Sequence, residues 1–375
     1  MRVGILSYPM LFQHDSARCS QLRALLAAFE QLPASSAFGK ADVRLLDPLR
    51  DNLDDVDLIH VFGAADGNHA LVEAAAACGL PVVLTPWLAG GWDRAGGVRA
   101  RLAERLLGCL FGDVAGGVGT SYGQVRAALR RATVVVAASR AERVALAEAF
   151  EVAPGRLRLV PPGIEARWFE ADAALFRECT GVRGEFALMA GAIDPCNDQL
   201  GMARLLAEMA LPLVVVGGAA TGEAAYLARL SAMPAVHVLG ELAAQPRLRA
   251  SAFAAANVLI APPSTADGAQ LVSAALAAGT AVLTAAAGPD DDADSYGIVR
   301  VRWEDSRQRK AAIVGLLEHP PVRERLRAQV RHLAFDRIAA RLIHCYADAF
   351  DLHGPVRNVY TGTASVRTLV ERAAR

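Results

Sequence analysis

Lysine is almost missing from this chain: of 39 basic residues only Lys40 and Lys310 are lysines, and the rest are arginine. Alongside so much alanine, this reads as the coding bias of a GC-rich genome rather than a binding signature. Net charge is absent too, since 39 basic residues meet 39 acidic ones. That balance excludes a dedicated nucleic-acid binder or a strongly basic membrane-surface protein, and leaves room only for local basic patches. The six cysteines (Cys19, Cys78, Cys109, Cys179, Cys196, Cys345) include no Cys-x-x-Cys pair. Neither a zinc site nor a disulfide framework is expected, and a reducing cytoplasm is the expected compartment. No long apolar run is present either. The greasiest region, 71–91, is broken by Glu73, Pro81 and Pro86, whereas a spanning helix needs about 20 apolar residues. Membrane contact is expected to be peripheral at most. Residues 1–7 form a short strand pattern and not a signal peptide. The glycine-rich stretch 112–119 lacks the Lys-Ser/Thr of a triphosphate-binding loop.

What the chain does have is length, apolar mass and rhythm. Its 375 residues, 53% of them hydrophobic, suit two domains of ordinary size. The continuous apolar run at 3–7 reads as a buried strand, covered on both faces, and 43–46, 58–62, 81–85, 134–137 and 157–160 read as further strands. Between them, helical spacing marks 20–30, 67–78, 99–110, 122–131 and 140–150, the last capped by Ser139. The pattern restarts with strands at 186–190, 213–216, 236–239, 258–261 and 281–284. Residues 161–185 read as a linker, and a late helix is expected at 335–350. Such alternation predicts an α/β protein with two doubly wound, Rossmann-like parallel sheets. The expected domains are 1–165, 166–334 and a closing helical segment, 335–375. Ligands in such sheets bind beyond the carboxyl ends of the strands, which places the expected site in a cleft between the halves.

Five stretches carry a resemblance. The first runs from strand 258–261 through Pro263-Ser264 and Asp267-Gly268 into the small-residue helix Ala274-Ala275-Leu276-Ala277-Ala278-Gly279. The second is Val134 to Ala137 followed by Ser139 and Glu142, and the third is Arg156 to Val160 followed by Pro161-Pro162-Gly163-Ile164. The fourth is Gly191-Ala192-Ile193-Asp194-Pro195-Cys196-Asn197-Asp198, and the fifth is Phe335-Asp336-Arg337-Ile338-Ala339. In this order they resemble the retaining glycosyltransferases with two Rossmann-like halves (GT-B type), which build lipopolysaccharide and capsule sugars. The resemblance covers about 130–350 well and the first 100 residues more loosely.

That resemblance implies a nucleotide-sugar donor bound near Gly191, Asn197, Gly217, Leu239, Asp267, Gly268, Gln270 and Leu271. It also implies a glycan, lipid-linked or protein acceptor, with no metal or other cofactor. Three features of the family's donor grip are missing. Its diphosphate-binding Arg is Ala192 here, its Lys is Asn197, and its ribose-binding Glu is Ala274 or Ala275, the helix segment being one residue short. The glycine-rich loop after the first strand is replaced by Gln13-His14-Asp15-Ser16-Ala17-Arg18, and the histidine after the fourth strand by the Trp87 region. On the acceptor side, His14 and Asp15 read as an acid/base pair or a solvated loop. His60 reads as packed or cleft-lining, and Trp87 as a sugar-stacking or a core aromatic. Ser139 and Glu142 belong to the family's Ser-x-x-Glu element. The acidic run at Asp290, Asp291, Asp292 and Asp294 reads as solvated rather than metal-binding. Two functions follow: a sugar transferase with an unusual donor grip, or a degenerate transferase fold acting as a non-catalytic partner of an active transferase or as a glycan-binding scaffold. If the loop at Gly191 keeps the family geometry, Ala192 and Asn197 are expected to face the space a diphosphate would fill.

Overall fold

The computed structural model describes residues 1–13, 16–33, 41–47, 50–65, 67–88, 92–111, 121–242, 245–263, 268–285 and 295–354. The chain divides into two compact units. One comprises Met1–Gly163 with the chain from Phe335 onward, and the other is Ile164–Ala334.

The first unit is built on a six-stranded sheet in the order β2-β1-β3-β4-β5-β6. Its strands are β1 (Arg2–Ser7), β2 (Asp42–Leu45), β3 (Leu58–Phe62), β4 (Val82–Thr85), β5 (Val134–Ala137) and β6 (Leu157–Leu159). Every pairing is parallel, which is why β3, β4 and β5 are buried throughout and, His60 and Thr85 aside, apolar. The helices are α1 (Ala17–Gln31), α2 (Asn68–Ala77), α3 (Arg94–Phe111), α4 (Ser121–Arg131) and α5 (Arg140–Glu148). The long α14 (Phe335–His353) closes this unit. Its Tyr346 hydroxyl lies 2.9 Å from His60 Nδ1, Asp348 pairs with Arg158 at 2.6 Å, and Arg341 donates to the Leu159 carbonyl. Where the chain leaves this unit, Gly163 lies so close to Phe335 that a Cβ would sit 2.4 Å from the ring.

The second unit carries strands β7 (Ala187–Ala190), β8 (Leu213–Val216), β9 (Val236–Val238), β10 (Val258–Ala261), β11 (Ala281–Ala285) and β12 (Ile298–Val301). They form an all-parallel sheet in the order β12-β11-β10-β7-β8-β9. Counted from β7, this is the Rossmann order 3-2-1-4-5-6, with its switch point between β7 and β10. Alternate residues of β7 feed two cores: Leu188 and Ala190 one face, Ala187 and Met189 the other. Helices α8 (Gln199–Ala207), α9 (Ala224–Ser231), α10 (Pro246–Ala255), α11 (Gly268–Ala278), α12 (Ser306–Glu318) and α13 (Arg323–Val330) cover the sheet.

Two expectations need correction. The stretch 161–185 is more than a linker: it holds α6 (Ala166–Phe169) and α7 (Ala174–Thr180). Both are anchored in the second core, with Phe169 and Phe176 buried and Trp168 set edge-on to Phe253. The second unit also has a sixth strand, β12, which the pattern of apolar runs misses.

Candidate functional site

In the second unit the loops after β7 and β8 continue the sheet's own ladder. Gly191 N–H donates to the Val216 carbonyl, Ile193 N–H to the Gly218 carbonyl and Ala220 N–H to the Ile193 carbonyl. This zipper needs glycine twice. Gly191 sits at φ +122°, and a Cβ on Gly217 would lie 1.8 Å from the Gly191 carbonyl oxygen. The neighbouring Gly218 approaches the Glu241 carboxylate in the same way. The glycine pair therefore serves loop-to-loop packing first.

The loop then folds on itself. Asp194 accepts from the Asn197 N–H, and Asn197 Nδ2 donates to the Ala192 carbonyl (2.9 Å) and to Asp194 (3.1 Å). Gln199 Nε2 donates to the same Ala192 carbonyl at 2.8 Å. Asp198, at φ +50°, caps α8 through Gly201 N–H and meets Arg309, which lies over the Trp303 ring. Asn197 is only 4% exposed. The expectation that it faces a bound diphosphate is thus corrected: its side-chain amide is committed inward to two acceptors on its own loop, with its backbone N–H on a third, while Ala192 remains exposed. The two alanines at the ribose-glutamate position are also interior, Ala275 fully so and Ala274 nearly so.

Across the switch point, β10 leads to Pro263 and, after residues 264–267, to the amino end of α11 at Gly268. Asp267 lies outside the described residues. Gly268 and Gln270 are half-buried at that end, whereas the Leu271 side chain is a core residue, leaving its backbone as what it has to offer a ligand. Leu239 is half-buried just beyond β9, beside Gly240, whose carbonyl accepts from Gly217 N–H.

In the first unit the structure gathers a polar and aromatic group at the carboxyl ends of β3, β4 and β5. Trp87 holds φ +51°, a left-handed conformation that a bulky residue rarely adopts. Its indole packs on Phe62, and Arg18 lies 5.4 Å from the ring centroid. Glu142 links the strand ends, its two oxygens accepting from Leu88 N–H (2.8 Å) and Ala138 N–H (2.6 Å). Burial pushes its carboxyl above the ordinary range, while these two amides and nearby Arg18 pull the other way. Ser139 accepts from Glu142 N–H and caps α5. Of the acceptor-side candidates, Trp87, Ser139 and Glu142 therefore lie together, joined by Arg18. His14 and Asp15 lie outside the described residues.

Of the two readings of His60, packed or cleft-lining, the structure shows the packed one. It is 0% exposed, bridged between Tyr346 and Thr85 at 2.9 Å each, and burial lowers its pKa to about 3. Strand β3 points it inward because His60 alternates with Ile59 and Val61 in a strand covered on both sides. Among the described residues no group of three or more His, Cys, Asp or Glu is placed to hold a metal ion. The acidic run at 290–294 lies outside them. No helix among the described residues is long and apolar enough to cross a membrane.

These two parallel sheets with their ligand-side loops define a GT-B-like fold. No protein-family model and no curated protein matches the sequence, but solved structures match along nearly the whole chain. It is similar to HepE of Anabaena, solved with UDP and glucose (15% identity, 92% of this chain, 99% of that one, TM-score 0.58). It is similar to sucrose-phosphate synthase of Thermosynechococcus elongatus (17%, 93% and 99%, TM-score 0.63). It is also similar to the UDP-GlcNAc 2-epimerase of Methanocaldococcus jannaschii (8%, 92% and 99%, TM-score 0.55). The fold is therefore one that glycosyltransferases share with UDP-GlcNAc 2-epimerases.

Proposed function

We propose that this chain is a glycosyltransferase that takes a sugar from a nucleotide-sugar donor and passes it, with retention, to a glycan, lipid-linked or protein acceptor. The observation that carries this reading is the switch point of the second sheet. The Gly191 loop after β7 and the amino end of α11 after β10 flank it, and a helix amino end offers unpaired N–H groups to a phosphate. With Ala192 and Asn197 in place of cations, backbone groups carry the donor grip, and weak donor affinity follows. The test is calorimetric titration with UDP, UDP-glucose, UDP-GlcNAc and their purine counterparts. Binding of at least one in the high-micromolar range is expected, and silence up to about 1 mM, an affinity of only about 4 kcal/mol, overturns the proposal. Conversion of UDP-GlcNAc without any acceptor would assign the epimerase chemistry of the shared fold instead.

A second reading has its own observation: Asn197 turned inward and Ala275 set in the core remove two of the family's donor contacts together. On it, the fold is a scaffold that binds an active transferase or a glycan. Co-purification of a second, active transferase together with failure to bind any donor supports this reading over the first.

A further inference from the structure

The strand order of the second sheet sets a place for a carboxylate. In a Rossmann sheet the phosphates of a nucleotide sit on the first strand-to-helix turn, and an acid roughly 20 residues further on, at the end of the next strand, accepts from the ribose. Here β7 is the first strand and β8 the second, and β8 runs out into Gly217-Gly218 with no acid of its own. The carboxylates of the Gly191 loop are engaged within the protein. Asp194 accepts from the side chain and backbone of Asn197, and Asp198 caps α8 and meets Arg309. Positions 274 and 275 hold interior alanines.

A carboxylate reaches the end of β8 from the third strand instead. Glu241 follows β9 and Gly240, whose carbonyl accepts from Gly217 N–H at 2.9 Å, so the ends of β8 and β9 are zipped together. The Glu241 side chain lies along Gly218: a Cβ on that glycine would sit 2.6 Å from Oε1 and 3.1 Å from Cγ. Residue 218 must lack a side chain for the carboxylate to lie there. The Gly218 carbonyl in turn accepts from Ile193 N–H at 2.8 Å, which ties this seat to the Gly191 loop. Glu241 is exposed, and among the described residues no hydrogen bond or ion pair engages it. Two unengaged oxygens suit a ligand edge with two adjacent hydrogen-bond donors, and the cis-diol of a ribose is such an edge. We propose that Glu241 holds the ribose of the nucleotide donor, an acid lent by the third strand to the end of the second. The inference rests on the nucleotide-sugar reading and narrows it: the donor is a ribonucleotide sugar, and deoxythymidine diphosphate sugars are disfavoured.

The test is ligand-observed NMR titration of the full chain with UDP, ADP and GDP, each beside its 2′-deoxy counterpart. For the base that binds best, the ribo form should bind about tenfold more tightly than the deoxy form, the share of one hydrogen bond to a charged group. E241Q should lose about tenfold on the ribo form and tell the two forms apart by less than about twofold. G218A keeps the carboxylate but takes its seat, and should reproduce the loss, with no further loss in G218A/E241Q. Unchanged thermal unfolding checks that these variants fold. E223Q, at the start of α9, should change nothing. Tighter binding of the ribo form by E241Q would show that the carboxylate merely repels the diphosphate, and it overturns the proposal. Equal affinity for the two forms in the parent protein, undiminished discrimination in E241Q, or an equal loss in E223Q overturns it as well, while the nucleotide-sugar reading stands. If no nucleotide binds at all, both fall.

Discussion

Asn197 shows how a single side chain can close off a plausible repair. Putting the family's cations back would seem to need Arg at 192 and Lys at 197, yet only the first position is open. Asn197→Lys breaks the bonds to the Ala192 carbonyl and Asp194 and asks a charge to enter a nearly buried site. A loss of about 1–3 kcal/mol is expected from the orphaned groups, read as a lower denaturant midpoint. Ala192→Arg, on an exposed residue, should stay within about 0.5 kcal/mol of the parent. If nucleotide-sugar affinity rises at all, it should rise in the Ala192→Arg protein. An Asn197→Lys protein of undiminished stability with a gain in donor affinity would show that the loop opens readily. The inward turn was not legible in the sequence. Its cause is the pairing of Asn197 with Gln199 on one carbonyl, a relation that alignment to a lysine-bearing motif conceals.

At the scale of elements, the sequence was most readable where strands are buried on both faces. Val134–Ala137, Leu213–Val216 and Val258–Ala261 are continuous apolar runs, and the structure keeps their bounds unchanged. Strand β12 escaped because it is a sheet edge carrying Arg300 and follows an acid-rich stretch. Helices α6 and α7 escaped because they are four and seven residues long and lack side-chain caps. The contact between β3 and α14 was invisible for a different reason: sequence periodicity says nothing about which distant helix covers a strand. That contact makes a pH prediction. Below its ordinary value of 6.5, an exposed His60 in the unfolded chain takes up a proton that the folded chain refuses until about pH 3. The unfolded state then binds more protons, so stability falls as pH falls through this window, by about 1.4 kcal/mol per pH unit for this group. His60→Gln, which keeps hydrogen-bonding capacity without a titrating ring, should flatten the acid limb of stability against pH by about one proton. Parallel limbs in the two proteins would show that His60 does not govern it.

For the molecule as a whole, the two units are unequal in how the chain builds them. The second, Ile164–Ala334, is continuous, whereas the first draws on both ends of the described chain. A fragment of residues 164–334 should therefore unfold cooperatively by itself in urea. A fragment of residues 1–163 lacks α14, leaving His60 without Tyr346 and Arg158 without Asp348. It should be markedly less stable, and adding residues 335–354 as a separate peptide should recover part of the loss. Equal stability of the 1–163 fragment with and without that peptide would show that α14 is dispensable.

The bond between His60 and Tyr346 joins residues 286 positions apart, and a ribosome makes them in that order. While the whole second unit is being translated, the nascent first unit waits with one flank uncovered, open to chaperones and to other nascent chains. A stop codon just before Tyr346 would then do harm far upstream of itself. It would leave every residue of the first sheet synthesised, yet deny that sheet the Tyr346 end of α14, so a late truncation should be cleared by proteolysis much as an early one is.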